Sequence, residues 1–348
     1  DCAAISHWPS FAFKGHYNGS GKSISKLSGG NTSVFQRIQA TSSVVHLRLE
    51  TCALAKMAEK SSIQHCQVHA AYLLGAASDV QVTDCQVTRG HLITGNATST
   101  QITGCQVTGS GLVGGNAESS HITSCQVTGG GLVGGNAESS QISGCQVMDG
   151  QSLVLRDVKR THISDCAVLA AWKITGGDHF GLIARGLRNG SIVERCFVGG
   201  SVSVTGLLVF FGDIVGICES STIGQCAVGS LDLRLTYDSE SKRIAYQCSH
   251  ATLLNNASID TNPGQDDPNG QDGKTVAAAR FNQRFFEGSL GWDFNTVWQW
   301  DAANNRPALR FEPEAPQATN PAATNTTAAN GIPLQDLLTR QVQANIWL

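Results

Sequence analysis

The sequence predicts an all-β chain: a three-sided, right-handed parallel β-helix of about nine to ten rungs of ~20 residues, with a C-terminal cap and a tethered helix. Two observations carry that prediction. Cys85, Cys105, Cys125 and Cys145 recur every twenty residues, with Cys66 nineteen before and Cys166 twenty-one after. The residues around them repeat as well: Gln101-Ile-Thr-Gly-Cys-Gln-Val107, His121-Ile-Thr-Ser-Cys-Gln-Val127 and Gln141-Ile-Ser-Gly-Cys-Gln-Val147, separated by segments such as Gly111-Leu-Val-Gly-Gly-Asn116. Self-similarity at such a fixed period marks a solenoid, in which each repeat buries its apolar face against its neighbours.

The elements of one repeat follow in order. Cys105 and Val107 share a face by strand alternation, whereas Ile102 joins them only if the chain bends at Gly104. Two short strands about that bend and a third at Leu112 and Val113, closed by Gly114, Gly115 and Asn116, make three sides. An apolar residue three before the Cys position extends the frame outward through Val44/Leu47, Ile63/Cys66, Val82/Cys85, Ile163/Cys166, Val193/Cys196 and Ile223/Cys226, nine rungs in all. Ile102/Ile122/Ile142, Cys105/Cys125/Cys145 and Val107/Val127/Val147 become inward columns. Gln67, Gln86, Gln106, Gln126 and Gln146 form an outward column suited to an amide ladder, and Asn96, Asn116 and Asn136 a second ladder at the turn. The crossover rule for parallel strands makes the coil right-handed.

Composition removes several function classes. With 24 basic and 27 acidic residues among 348, the formal charge is −3, so the chain lacks the basic footprint of a nucleic-acid binder. No stretch approaches the roughly 20 apolar residues of a membrane helix, and no span is expected. Neither a Gly-x-x-x-x-Gly-Lys-Ser/Thr phosphate loop nor a Gly-Gly-x-Gly-x-Asp calcium repeat is present, and no cofactor or metal site is expected. The 12 cysteines admit three readings. They are small buried hydrophobes filling a column, rung-to-rung disulfides, or metal ligands, for which Cys218 and Cys226 are the closest pair.

Gly111-Leu-Val-Gly-Gly-Asn116 and Gly131-Leu-Val-Gly-Gly-Asn136, with Ile-x-x-Cys between them, resemble the repeat of bacterial proteins named for their Gly-Leu-Val/Uaa-Gly (GLUG) motif. Phe11-Ala-Phe-Lys-Gly-His-Tyr-Asn-Gly-Ser-Gly-Lys-Ser-Ile-Ser-Lys-Leu27 resembles the opening segment of that family, and Gly291-Trp-Asp-Phe-Asn-Thr-Val-Trp-Gln-Trp300 with Arg306-Pro-Ala-Leu309 its closing segment. The resemblance covers residues 8 to 312. It implies a right-handed β-helix and a secreted or bacterial cell-surface setting, adhesin-like; a mostly reduced cysteine ladder would favour a host cytosol reached by secretion. The family also includes non-catalytic regions of immunoglobulin-cleaving metalloproteases, yet no His-Glu-x-x-His occurs here. A Cys on nearly every rung departs from the cysteine-poor exported adhesins.

Function is expected where the repeat lengthens. The Cys166–Cys196 and Cys196–Cys226 intervals grow to thirty residues. Long loops on a rigid scaffold are favoured sites of binding. The candidates are Trp172, Lys173, Asp178, His179 and Phe180 in the first interval, and Phe210, Phe211 and Asp213 in the second. The favoured function is a non-catalytic interaction module for a protein or glycan on a host or neighbouring cell. A polysaccharide-cleaving enzyme would instead use Asp178 and Asp213 as acid and base, with carboxylates roughly 5 to 9.5 Å apart.

The chain divides into the coil and its start segment over 1–254, a loop, short helix and Trp-rich cap over 255–312, a flexible linker over 313–332, and an amphipathic helix over 333–348. The capping helix is expected over Thr275 to Phe286, with Trp292, Trp298 and Trp300 covering the last rung or, alternatively, binding sugar. Leu334, Leu337, Leu338, Val342 and Ile346 make the last helix amphipathic, suited to self-association or to a partner for which the rod is a spacer.

Overall fold

A computed structural model describes residues 12–25, 33–175, 179–205, 210–235, 240–262 and 264–311. Within them the chain coils into three long parallel sheets. The first face stacks eleven strands from Ala12–Phe13 to Ala245–Ser249, and the second eleven from His16–Asn18 to Thr252–Leu254. The third stacks twelve, from Ser23–Ser25 to Ala257–Ile259 and finally Lys274–Val276. Every turn supplies one strand to each face. Eleven complete turns are described rather than the nine that the Ile-x-x-Cys frame marks. The frame misses the first turn, built on Tyr17 and Ile24, and the last, where Asn256 stands at the Cys position.

The predicted columns are in register. Ile102, Ile122 and Ile142 pair across neighbouring strands, as do Val107, Val127 and Val147, and all are essentially inaccessible. The bend predicted at Gly104 is a left-handed residue, φ 66°, shared by Asp84 (51°), Ser124 (53°) and Gly144 (60°). Short polar residues carry that conformation with little penalty, which is why the corner needs no invariant glycine. A second left-handed corner, at Ser99, Ser119 and Ser139, joins the first face to the second.

After each left-handed residue comes a small inward side chain that can hydrogen-bond. At the second-to-third corner it is cysteine. Cys125 Sγ donates to Thr123 O (3.2 Å) and to Ile102 O in the preceding turn (3.7 Å). At the first-to-second corner it is a hydroxyl: Ser120 Oγ donates to Glu118 O (2.9 Å) and Ala97 O (3.2 Å). Each buried corner N–H in turn reaches the next hydroxyl, Thr100 N to Ser120 Oγ, Ser120 N to Ser140 Oγ and Ser140 N to Thr161 Oγ1. The described cysteines are free thiols, buried from Cys52 to Cys226 with Cys248 half-buried. Burial pushes the Cys85, Cys125, Cys166 and Cys226 thiols up. Asn256 ends it, accepting from Cys226 N (3.0 Å) and donating to Ile223 O (2.9 Å).

Within the first face, just before the strands Ala97–Thr98, Ala117–Glu118 and Ala137–Glu138, Asn96, Asn116 and Asn136 form the expected ladder, each Oδ1 accepting the next turn's backbone N–H at 2.9–3.1 Å. The outward glutamines stack from Gln67 to Gln146. Beyond Gln146 that column changes to Ala167, Phe197, Ala227 and Ala257.

This change explains where the C-terminal segment goes. Phe281, Phe286, Leu290, Trp292, Phe294 and Trp298 form one buried cluster with Ala167, Phe197, Ala227 and Ala257. The segment therefore lies along the outside of the third face and not over the end of the coil, because only there does the column offer apolar surface. Trp292 Nε1 anchors to Gln225 O at 2.8 Å. Trp292 and Trp298 are enclosed, which removes them from sugar binding, and Trp300 is half-buried against the same cluster. The helix runs over Gln283–Leu290, later than expected. Val276 is paired to Ile259 as the last strand, Asn282 caps the helix by accepting from Phe285 N, and Gly291 (φ 70°) ends it. The end of the coil is closed instead by the polar segment near 262–273, where Asn262 Nδ2 donates to Gly229 O (2.8 Å) and Ile244 N donates to Gln271 O (2.8 Å).

Candidate functional site

The thirty-residue intervals build a wing rather than irregular loops. Ala167–Ile174, Phe197–Val204 and Ala227–Arg234 continue the third face well past its usual three residues. Their chains return as a small parallel ribbon, His179–Gly181, Phe210–Gly212 and Glu240–Lys242. Alternation explains why the two layers close: Ile174, Val202, Val204 and Phe211 point between them and are buried, and Trp172 meets Phe180 edge-on at 5.5 Å. Gly212 and Gly216 let the ribbon approach, since a Cβ on Gly212 would lie 1.9 Å from Val215 O and one on Gly216 2.8 Å from Phe180 N.

The outer side of the ribbon carries aromatic residues. His179 and Phe210 are paired in register with ring centroids 5.1 Å apart, and Phe210 stacks on Tyr246 of the first face at 4.8 Å. The Tyr246 hydroxyl donates to Glu240 Oε2 at 2.6 Å. That bond holds the phenol up at about 12, so it stays protonated throughout the physiological range. All three rings are partly accessible. Such a row offers flat apolar faces edged by a hydroxyl and a carboxylate, the chemistry that receives the C–H face of a sugar ring or an apolar side chain. Lys173 lies on the outer side of the other layer, in register with Ser203 and near Arg234.

The sequence-derived candidates therefore separate. His179 and Phe210 belong to the outer row, Lys173 to the opposite exposed layer, and Trp172 and Phe180 to the half-buried filling. Phe211 is fully buried and Asp213 is 4% exposed. Asp178 lies outside the described residues, as do Leu334, Leu337, Leu338, Val342 and Ile346. Tyr246, Glu240 and Arg243 were missed. Advancing Phe210 and Asp213 by the same thirty residues that separate Cys196 from Cys226 would have reached Glu240 and Arg243.

Asp213 stands in the coil wall. It follows Gly212, so the register that pairs Gly181, Gly212 and Lys242 stacks Leu182, Asp213 and Arg243 in successive turns. Leucine holds this corner earlier, at Leu112, Leu132 and Leu153. Burial pushes the Asp213 carboxyl well above the usual carboxylate range, with Arg243 opposing and Asp272 reinforcing the shift. Its Oδ1 has no hydrogen-bond partner, and neither do Arg243 Nε and Nη1. Arg243 Nη2 donates to Gln265 O, to Gly273 O (3.3 Å) and to Thr275 Oγ1 (3.0 Å), while Asp272 takes Lys242 Nζ at 3.1 Å. This is an internal charge cluster beneath the wing, closed to substrate. Among the described residues, no group of three or more His, Cys, Asp or Glu is placed to hold a metal ion, and no helix is long and apolar enough to cross a membrane.

The three stacked parallel sheets define the class: the chain is a β-helix repeat protein. No protein-family model matches it, and no curated protein does. Among solved structures, trypsin-treated QnrB1, described as a plasmid-mediated fluoroquinolone resistance protein, is similar over 66% of this chain and 92% of its own, at 10% identity and a TM-score of 0.30. A likeness at that level says nothing of activity.

Proposed function

We propose that the chain is a non-catalytic, rigid interaction module of a GLUG-type bacterial secreted or surface protein, and that it binds a glycan through the outer row of its wing. The observation that carries this is the exposed stack of His179, Phe210 and Tyr246, fixed on a ribbon whose inner side is continuous with the core of the coil. Rigid aromatic faces bind at low entropic cost, because ordering occurs on folding and not on binding. The enclosure of Asp213 supports the non-catalytic half of the reading, since a general acid or base must reach its substrate. The GLUG resemblance supports the bacterial surface setting.

The test is calorimetric titration of the full chain with a panel of neutral hexose oligosaccharides, alongside the Phe210→Ala/Tyr246→Ala variant. A ligand is expected whose affinity falls at least about tenfold in the variant while the melting temperature barely moves. Affinity unchanged in the variant would sink the site, and appearance of new reducing ends would sink the non-catalytic reading.

A further inference from the structure

The last strand of the third face and the helix beside it enclose a groove of about 830 Å³ that includes Lys274, Thr275, Arg280, Asn282, Arg284 and Phe285. It lies outside the wing. Three of these residues are cations, and no carboxylate lines the groove. The side chains of Lys274, Arg280 and Arg284 are exposed, and among the described residues none forms an ion pair with them. The carboxylates nearby are held by other donors: Asp260 Oδ1 accepts Ala278 N at 3.1 Å, Asp266 Oδ1 accepts Thr275 N at 2.8 Å, and Glu287 Oε1 accepts Gln283 Nε2 at 2.8 Å. In a chain whose formal charge is −3, the lining of this groove is positively charged, with space in front of it.

We infer that this groove binds an acidic polysaccharide, a chain of uronate or sulfated sugars. Arginine presents a planar fork that matches carboxylate and sulfate oxygens in pairs, and two arginines four residues apart with a lysine across the groove suit charges repeated along a polymer. Half-buried Phe285 supplies a flat face for a sugar ring. An acidic peptide is served less well. Adding a strand to the edge at Lys274–Val276 needs the outward N–H of Thr275, which Asp266 occupies. Nucleic acid would ask for a longer basic track than three cations.

The test uses the full chain, with a heparin-type oligosaccharide as the sulfated probe and oligogalacturonate as the carboxylated one. Poly-glutamate and single-stranded DNA of matched charge serve as competitors. Binding is expected to at least one of the two sugars, weakening with salt, and Arg280→Glu/Arg284→Glu should lower it about tenfold or more without moving the melting temperature. The exposed control Lys56→Glu/Arg89→Glu should leave affinity within about twofold, because those charges lie beyond the screening distance of the groove. The same holds for Phe210→Ala/Tyr246→Ala, which separates this site from the wing. No binding to either sugar, equal loss in the control, or binding of poly-glutamate or DNA as tight as that of the sugar would overturn the inference.

Discussion

Ser140 and Cys145, five residues apart in one turn, make the same pair of contacts at successive corners. Ser140 Oγ donates to Glu138 O (2.9 Å) and Ala117 O (3.2 Å), and Cys145 Sγ to Ser143 O (3.3 Å) and Ile122 O (3.6 Å). Each side chain reaches the carbonyl two residues back and one in the turn before. The cysteine column is thus more than apolar filling, because its S–H groups do weakly what the hydroxyls do at the other corner. Both columns also accept the corner N–H of the neighbouring turn, Ser120 N reaching Ser140 Oγ (3.0 Å) and Cys66 N reaching Cys85 Sγ (3.4 Å). Ser140→Ala should therefore cost about 1–3 kcal/mol by leaving the buried Ser120 N–H unpaired. Ser140→Thr should be nearly neutral, as Thr161 holds the same position one turn on. Urea unfolding of the two variants decides it, and equal costs would refute the acceptor role.

The buried charges beneath the wing make a second prediction. Arg243→Leu removes the donor to Gln265 O, Gly273 O and Thr275 Oγ1 and leaves buried acceptors unpaired, so it should cost about 1–3 kcal/mol. Asp213→Leu restores the residue type found at Leu153 and Leu182, so it should cost little at neutral pH or stabilise the fold. Asp272 keeps Lys242 Nζ in either case. Chemical denaturation of both single variants is the check, and an Asp213→Leu cost as large as that of Arg243→Leu would count against this assignment.

The same carboxyl fixes the sign of a pH effect. Unfolded, Asp213 loses its proton near the ordinary value of about 3.9, whereas burial holds the folded-state value well above that. Between the two values the folded chain carries more protons than the unfolded one, so stability falls as pH rises, by about 1.4 kcal/mol per unit of difference. Subtracting the stability–pH curve of Asp213→Asn from that of the wild type isolates this contribution from carboxylates shifted the other way, such as Asp293. The difference should slope downward above pH ~4. A flat difference would mean that Asp213 is solvated.

Reading the sequence by columns recovered what one period of twenty residues encodes: the three faces, the bend at Gly104, the inward Ile, Cys and Val, and the Asn ladder. It missed what lies outside that period. The inward places of Ser120, Ser140 and Thr161 are not legible in the sequence, because a polar side chain gives no sign of facing inward. Asp213 reads as a loop residue because the extra ten residues per turn read as a long loop, when they extend the strand. The cap was sent to the end of the coil because the Gln column was followed only as far as Gln146, before it became Ala167, Phe197, Ala227 and Ala257.

Thiol accessibility tests the cysteine column. With the ten cysteines from Cys52 to Cys226 buried and free, a thiol reagent should leave them untouched in the native chain and titrate them all in denaturant, without prior reduction. Half-buried Cys248 should react at an intermediate rate. A deficit of free thiols in the unfolded chain would instead reveal rung-to-rung disulfides.

The placement of the cap rests on Phe197. Its ring lies in the outward column where earlier turns carry glutamine, meets Phe286 at 6.4 Å, and occupies space that only glycine at 229 leaves open, since a Cβ there would sit 2.4 Å from the Phe197 ring. Phe197→Gln restores the earlier residue type and removes the apolar surface on which Phe286 and Trp292 pack. Because the loss falls at the interface between coil and cap, about 3–5 kcal/mol should be lost from the cap alone. Tryptophan fluorescence should then shift to the red as Trp292 and Trp298 meet water, while the β-sheet circular dichroism of the coil persists. If the cap instead covered the open end of the rod, the substitution would leave the fluorescence unchanged.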